Sequence, residues 1–593
     1  MGPGTFKRDL TVIKSFIQKL HKPPTAIDIV LLSLFTIFIV FDPFFLEKEI
    51  HVFEVGLYLP CADAIFRGMV PFRDFFYLRG PFEIYMITGF MAMFGKQLAS
   101  LYLYFYMGTI LTLLLGPMIG KELYRTRYFL YAMSLVYVAK TFPRIAFIDW
   151  GGMRYAWGLL AILFMCRFFS LEGMKTFRFI FLSGIFTAFG LLTSVEIGIY
   201  AIVAFIGTSI AALCLRFHNK RSFFKSLLYY TAGFGLIVLP YGGYLLYVGA
   251  LAPYLEITQA VVTKLTEVTG HHNILENITG FSQAVTLMFS FNDDLFRQMT
   301  PAYLYFFLMG YIIYQLRKKT IGQEHLNVIC IGLYGFAMYV SAFRSIGGPQ
   351  FEMALQPDKI LLFYLLERFY FVLLKKKEKL GVNAVSIFSY RQNNFKRSIR
   401  FLGILFLLIV FFILSFGVSF EHFNKRFFAF RAVRNFCLGN DIESLKFLAY
   451  IPHKKVKTPR TRGIVTVAGT AQDIEEVVAF IETHTSANDQ VLTHPFNAAY
   501  NFFFNRPFVG KYPVFSFAWL SEKWNSKFIE DLTSARPKYI IWPKRLSQME
   551  AMLLGYPPNI PKYREILSII HAHYKLVKES TFSDIYARGD IAQ

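Results

Sequence analysis

Long apolar runs recur along this 593-residue chain and limit what it can fold into. A helix that crosses a bilayer needs about 20 mostly apolar residues. Hydrophobic residues make up 55% of the chain and charged residues only 17%, whereas a soluble domain usually carries about 25% charged residues. We therefore predict an α-helical polytopic membrane protein and exclude a soluble single-core enzyme. The predicted spans are about eleven: 27–45, 101–120, 128–147, 154–170, 178–193, 197–216, 226–248, 301–317, 326–343, 358–374 and 400–419.

The formal net charge of +23 is distributed in a way that predicts the sidedness of these spans. The stretch 81–94 is too short to assign by length, and we interpret it as an amphipathic helix at the interface. All basic connections then fall on one side of the membrane, which the positive-inside rule identifies as cytoplasmic. The sequence thus predicts a multi-pass protein of the cell membrane with a cytoplasmic N-terminus, an extracytoplasmic C-terminus and no nucleic-acid partner. The basic connections are 121–127, 175–178, 216–225, 317–319 and 375–400.

Two parts of the chain follow from this topology. Residues 1–420 form a transmembrane domain whose first outer loop is 46–100, and residues 421–593 form an extracytoplasmic domain. In the second part, 471–483 has helical periodicity, while 490–493 and 538–542 are typical of short strands. We predict a soluble α/β domain at the C-terminus.

The first outer loop interleaves charged residues, turn formers and aromatic residues next to the predicted interfacial helix. Glu54 follows the first span, Pro71-Phe72-Arg73-Asp74-Phe75 comes later, and Arg79-Gly80-Pro81 opens the helix. A simple connector does not need this set of residues.

This loop resembles the first outer loop of the GT-C superfamily of membrane glycosyltransferases, in the dolichyl- or polyprenyl-phosphate-sugar-dependent, protein-mannosyltransferase-like branch. The resemblance rests on Glu54, Gly68, residues 71–75 and Gly80-Pro81. It extends more weakly to Arg154, 193–198, 344–349 and 355–357. The family often has Asp, or an Asp-Glu pair, where Glu54 stands alone, and Lys or His where this chain has Arg79. The resemblance implies a GT-C fold and transfer of a sugar from a polyprenyl-phosphate donor to a lipid, glycan or protein acceptor on the extracytoplasmic face.

Inverting transfer from such a donor needs a carboxylate that takes the proton of the acceptor hydroxyl. Glu54 matches the acidic position of the family and is the first candidate for this catalytic base. Asp74 is the second candidate, and its alternative role is an ion pair that holds the loop. Asp149 and Glu196 lie at the outer ends of spans, where an unpaired charge is costly, and are predicted to bind substrate.

The leaving phosphate needs positive charge beside it. Arg73, Arg79, Arg154 and Arg344 are all placed at the outer membrane edge by the predicted topology. We predict that they bind substrate, and the alternative for each is snorkelling to the interface or pairing with anionic lipid.

No cofactor is indicated with certainty. The five cysteines form no CxxC pair, and His271-His272 has no third ligand at metal-binding spacing. The sequence lacks a GxxxxGK[ST] loop, a GxGxxG loop and an Asp-x-Asp element. We therefore predict a lipid-linked donor and assign no residue to a metal, while a divalent metal stays open.

Two alternatives remain at this point. A transporter or lipid flippase explains many spans equally well, although transporters usually place charged residues near the bilayer midplane. A non-catalytic subunit of an envelope complex is also compatible with the sequence.

Overall fold

The computed structural model describes eleven segments of the chain, and everything below refers to them. They are residues 19–43, 45–47, 50–141, 152–171, 176–269, 293–342, 353–378, 427–440, 453–546, 550–551 and 554–591.

The first part of the chain is almost entirely helical. Its helices are α1 Ala26–Val40, α2 Val52–Gly56, α3 Leu59–Phe66, α4 Pro81–Phe94, α5 Leu98–Lys121, α6 Arg127–Lys140, α7 Arg154–Ser170, α8 Phe177–Thr193, α9 Val195–Cys214, α10 Lys220–Tyr247, α11 Leu251–Thr269, α12 Asp293–Arg317, α13 Glu324–Ala342 and α14 Gln356–Glu378. Four of them, α5, α9, α10 and α13, are long and apolar enough to cross a membrane by length and composition. The prediction of an α-helical membrane protein is thereby confirmed.

Ten of the eleven predicted spans coincide with helices of this series, and the run 400–419 lies outside the described residues. The first span is shorter than predicted, because α1 ends at Val40 and not at Phe45. Asp42 precedes Pro43, and a residue before proline is disfavoured in the helical conformation.

Helix α4 is held by contacts at its start and just beyond its end. At its start, the Gly80 amide donates to the Thr193 carbonyl over 3.0 Å. Just beyond its end, the Lys96 ammonium lies 4.0 Å from the ring centroid of Phe66, in the same outer loop. The start of α4 therefore contacts the bundle beside the turn between α8 and α9, and the residues after its end contact the outer loop.

A polar cluster ties the opposite end of the bundle together; we call it the inner cluster and define it by Asp28, Arg125, Arg127, Glu324 and Glu367. Arg125 Nη2 lies 2.7 Å from Glu324 Oε1, and Arg127 Nε lies 3.0 Å from Asp28 Oδ2. Glu367 accepts hydrogen bonds from the Arg125 amide at 3.0 Å and from the next amide along the chain at 2.9 Å. The N-terminal segment, the connection 121–127, the start of α13 and the middle of α14 thus meet in this cluster. That this end faces the cytoplasm stays a prediction.

The C-terminal part is a small α/β domain. Its elements are α15 Phe428–Cys437, β1 His453–Lys455, β2 Val465–Val467, α16 Ala468–His484, β3 Val491–Thr493, α17 Tyr500–Phe503, α18 Glu522–Ala535, β4 Tyr539–Pro543, α19 Ile560–His573, β5 Tyr574–Glu579 and β6 Ser583–Arg588, with 3-10 helices at Pro459–Thr461, Pro495–Asn497 and Phe515–Leu520. The main sheet has the order β3-β4-β6-β5, in which β3 and β4 are parallel and the other pairs antiparallel. Strands β1 and β2 form a separate antiparallel ribbon. The predicted helix 471–483 and both predicted strands are confirmed. Helix α15 packs against α1 of the bundle.

The C-terminal domain is bonded to the first outer loop at several points. The Val465 amide donates to the Leu46 carbonyl over 3.0 Å, and the Phe76 amide donates to the Lys511 carbonyl over 2.7 Å. Arg460 Nη1 lies 2.8 Å from Asp63 Oδ1. Loop and domain share one hydrophobic core, so the loop is held on a rigid support.

Candidate active site

Glu54 sits on the short helix α2, half-buried between the bundle and the C-terminal domain. The helix packs closely on that domain: a Cβ added at Gly56 would lie 2.8 Å from the Ala499 amide nitrogen. The rings of Phe53 and Phe496 lie 5.0 Å apart. Any side chain larger than hydrogen at position 56 would push α2, and Glu54 with it, away from this support.

Arg79 and Glu83 form the second part of the site, one helical turn apart at the start of α4. Arg79 Nε lies 3.6 Å from Glu83 Oε2, and the Tyr77 hydroxyl donates to the same oxygen over 3.2 Å. The Arg79 guanidinium also lies 5.5 Å from the ring centroid of Tyr58. Glu83 is completely buried, and burial of a carboxylate is tolerated only with such partners.

The turn between α8 and α9 is brought to this site by Gly80. A Cβ at Gly80 would lie 2.1 Å from the Leu192 carbonyl oxygen, so only glycine allows the close approach. The contact places the first turn of α9, which carries Glu196, near the start of α4. The negative charge of Glu196 acts on both Arg79 and Glu83.

Arg154 begins α7 and is buried. Its Nη2 donates to the Tyr155 hydroxyl over 3.1 Å, and its guanidinium lies 4.6 Å from the centroid of that ring. The positive charge of Arg154 acts on Glu54 and on Glu83. The structure therefore brings together Glu54, Arg79, Arg154 and Glu196 of the residues predicted from the sequence.

The surroundings of Glu54 shift the pKa of its carboxyl group. Burial raises the pKa of Glu54 above its ordinary value, while the charges of Arg79 and Arg154 act in the opposite direction. Burial likewise raises the pKa of Glu83, again opposed by Arg79 and Arg154. Carboxyl groups with raised pKa values next to arginines are typical of catalytic sites.

Several polar groups of this cluster are left without partners. The Glu54 carboxylate forms no hydrogen bond or ion pair with any other described residue. Three more buried atoms have no hydrogen-bond partner there: Tyr58 Oη, Arg79 Nη1 and Glu83 Oε1. Because an unpaired buried polar atom costs about 1–3 kcal/mol, their concentration in one place indicates a site that a polar ligand completes. We call Glu54, Tyr58, Arg79, Glu83 and Arg154 the outer cluster.

Arg73 and Asp74 lie elsewhere on the loop and pair with each other. Arg73 Nη2 lies 2.7 Å from Asp74 Oδ2, with the Arg73 side chain 44% exposed. Asp74 also accepts the Val70 amide over 2.8 Å and thus closes a tight turn in which Phe72 has φ 68°. This arrangement is that of a structural ion pair, the alternative role considered for Asp74.

Other predicted residues lie outside the described residues: Asp149, Arg344 and the pair His271-His272. Among the described residues, no three His, Cys, Asp or Glu side chains lie close enough together to hold a metal ion.

Sequence reasoning did not single out Glu83, Tyr58 or Tyr77. A signal for Glu83 was available, because it is an acidic residue in the first turn of an otherwise apolar helix, four positions after Arg79. Nothing in the sequence distinguishes the two tyrosines from the many other aromatic residues of the chain.

Comparison with solved structures identifies the fold. The chain matches ArnT from Cupriavidus metallidurans, solved bound to undecaprenyl phosphate, with a TM-score of 0.50 and 10% sequence identity over 94% of this chain and 97% of that chain. The chain has the GT-C fold. The resemblance seen in the first outer loop is thus confirmed at the level of the fold.

A second GT-C structure is also similar. It is the oligosaccharyltransferase AglB from Archaeoglobus fulgidus, in complex with an inhibitory peptide and a dolichol-phosphate, with a TM-score of 0.47 and 12% identity over 95% of this chain and 74% of that chain. No family model matches the sequence, and neither does any curated protein.

Proposed function

We propose that this chain is a membrane glycosyltransferase that moves a sugar from a polyprenyl-phosphate donor to an acceptor hydroxyl on the extracytoplasmic face, with inversion at the anomeric carbon. The observation that carries the proposal is the outer cluster, in which a half-buried carboxylate without a hydrogen-bond partner among the described residues lies under the influence of two arginines. The GT-C fold shared with ArnT, a protein solved with undecaprenyl phosphate, supports the class of donor.

In the proposed reaction Glu54 is the base. Its carboxylate takes the proton of the acceptor hydroxyl while the oxygen attacks the anomeric carbon from the face opposite the phosphate. The bond between that carbon and the phosphate oxygen breaks, and its electron pair leaves on the phosphate. The raised pKa of Glu54 makes its carboxylate a stronger base than an ordinary glutamate.

Arg79 and Arg154 bind the phosphate of the donor in this scheme. Arg79 Nη1, which has no partner among the described residues, supplies a free donor for a phosphate oxygen. A guanidinium is suited to this task because it stays charged and offers paired N–H groups. Glu83 and Tyr58 hold the Arg79 side chain in place.

Replacing Glu54 tests the proposal. Cells that lack the gene are complemented with the wild-type chain, Glu54→Gln or Glu530→Gln, and their glycans and glycolipids are compared by mass spectrometry. Loss of a general base lowers the rate by about 10²–10⁴-fold, so we expect Glu54→Gln not to restore the missing product. Glu530, which is 69% exposed on α18, is the matched control and restores it.

Two results would overturn the proposal. One is full restoration by Glu54→Gln. The other is movement of lipid or solute across vesicles by the purified protein, with no glycan changed in the cells, which is the behaviour of a transporter or flippase. Measuring sugar transfer by the purified wild-type protein with and without EDTA shows whether a divalent metal takes part.

A further inference from the structure

A cleft of about 640 Å³ opens at the edge of the C-terminal sheet, separate from the outer cluster. It lies at the carboxyl end of β4, where Pro543 and Lys544 form part of its wall, and the carboxyl ends of parallel strands are a common place for ligands. The opposite wall includes Val52 of the first outer loop. The lining mixes apolar and polar side chains, with Asn497, Tyr500 and Arg545 among the polar ones.

One aromatic side chain in this lining is exposed although its position is fixed. Phe582 is 53% exposed. Its amide donates to Asp473 Oδ1 over 2.6 Å, and its carbonyl accepts from the Lys544 amide over 2.8 Å. A Cβ at Gly469 would lie 2.8 Å from Phe582 Cζ, so the ring rests directly on the glycine backbone. Phe582 therefore presents an exposed aromatic ring at the cleft, on a backbone held by two hydrogen bonds.

Buried Asp473 fixes the segment that carries this ring. It accepts hydrogen bonds from Ser580 Oγ at 2.8 Å, from the Ser583 amide at 3.0 Å and from Ser583 Oγ at 2.8 Å. The Tyr500 hydroxyl also donates to it. A segment held by this many bonds loses little conformational entropy when a ligand binds.

We propose that this cleft binds a saccharide, the sugar part of the acceptor, with Phe582 as the surface on which one pyranose ring stacks. The apolar C–H face of a sugar ring fits an aromatic face, while its hydroxyl groups need donors and acceptors around the rim, which Asn497, Lys544 and Arg545 supply. The identification of the saccharide as acceptor rests on the proposed glycosyl transfer, whereas saccharide binding itself does not.

The position of the cleft connects it with the outer cluster. Val52, which lines the cleft, precedes Glu54 by two residues on α2. A chain of sugars bound over Phe582 thus lies against the helix that carries the proposed base. Binding energy from such a remote part of a substrate can position the reacting hydroxyl.

The test uses the full-length protein in detergent micelles and an array of immobilised oligosaccharides as the probe. The best soluble oligosaccharide is then titrated by calorimetry into the wild type, Phe582→Ala, Phe582→Tyr and Leu576→Ala. We expect Phe582→Ala to raise Kd about tenfold and Phe582→Tyr to retain binding, because tyrosine keeps the aromatic face. Leu576, which is 47% exposed on β5 outside the cleft, is the matched control and leaves Kd unchanged. Thermal unfolding of each variant separates loss of binding from loss of fold.

The outcomes separate this inference from the proposed function. Glu54→Gln, inactive in transfer, keeps saccharide binding if the inference holds. Absence of any saccharide bound by the wild type, or a Kd unchanged in folded Phe582→Ala, overturns the inference and leaves the Glu54 experiment to decide the function. Binding together with unimpaired transfer by Glu54→Gln would keep the saccharide site and remove the proposed base.

Discussion

The two ends of the helical bundle each hold a cluster of carboxylates and arginines, and the clusters differ in how far their carboxylate oxygens are paired. In the inner cluster, both oxygens of Asp28, of Glu324 and of Glu367 accept hydrogen bonds from described residues. In the outer cluster, the Glu54 carboxylate accepts none from the described part of the chain and Glu83 Oε1 is unpaired there.

This difference separates a structural role from a chemical one. Pairing of all its carboxylate oxygens stabilises the fold and indicates that the inner cluster ties helices together. Incomplete pairing of buried groups costs stability, and such a cost is typical of sites that bind and transform a ligand. The comparison predicts that substitutions in the outer cluster change activity, whereas substitutions in the inner cluster change stability.

The largest effect beyond loss of Glu54 is expected for Arg79→Gln. Removing a group that stabilises charge in a transition state typically lowers kcat about 10²–10³-fold. Arg79 also lowers the pKa of Glu54. Because the base acts in its ionised form, activity falls as the pH drops through that pKa. In Arg79→Gln the pKa rises further, so the acid limb of the pH profile moves to higher pH.

The measurement is transfer rate against pH for the wild type and for Arg79→Gln. Arg588→Gln, which changes a surface pair with Asp590, is the matched control with an unchanged profile. An acid limb that stays in place would show that Arg79 does not act on the titrating group, and would remove Arg79 from the proposed mechanism.

A smaller effect, on stability alone, is expected for Glu367→Gln in the inner cluster. Glutamine has one acceptor oxygen where the carboxylate has two, and it brings an NH2 group against the Arg125 amide, which donates to both Glu367 oxygens. Loss of hydrogen bonds to a buried charged group costs about 1–3 kcal/mol. We expect a lower unfolding temperature together with unchanged transfer per folded molecule. Reduced transfer at an unchanged unfolding temperature would contradict the division between the two clusters.

The sequence was sufficient to predict the helices and three residues of the outer cluster, Glu54, Arg79 and Arg154. Apolar run length is a local signal, and it correctly predicted the membrane fold, whereas the interfacial position of α4 stays a prediction. Glu54 was selected because it matches the acidic position of the family that the loop resembles, Arg79 and Arg154 because the predicted topology places them at the outer membrane edge, and Glu196 because it lies at the outer end of a span. Their common location depends on contacts such as Gly80 against Leu192, which join segments far apart in the sequence.

Which charged side chains form complete ion pairs and hydrogen bonds could not be predicted in the same way. In the sequence, the pair Arg73-Asp74 and the pair Arg79 with Glu83 look equally suited to a catalytic role. In the structure, Arg73 is exposed and its guanidinium pairs with Asp74. Arg79 and Glu83 are instead buried, and each keeps a side-chain atom that has no partner among the described residues. Burial depends on how the loop packs under the C-terminal domain, as at Phe76 and Lys511. The cleft beside Phe582 was likewise not predicted, since its walls come from both domains.

The smallest effect is expected for Asp74→Asn, which tests whether exposure separates the two pairs of the first outer loop. The amide side chain of this variant would keep an oxygen for the Val70 amide and lose the ion pair with Arg73. Exposed ion pairs contribute about 0–1 kcal/mol, so the unfolding temperature changes little. Transfer stays within about twofold, because Asp74 is not the base in the proposed mechanism and loss of a base lowers the rate far more.

Transfer assays on Asp74→Asn and Glu54→Gln in parallel decide which of the two carboxylates is the base. If Asp74→Asn abolishes transfer in a folded protein while Glu54→Gln retains it, the base is Asp74, and incomplete pairing in the outer cluster serves binding and not proton transfer.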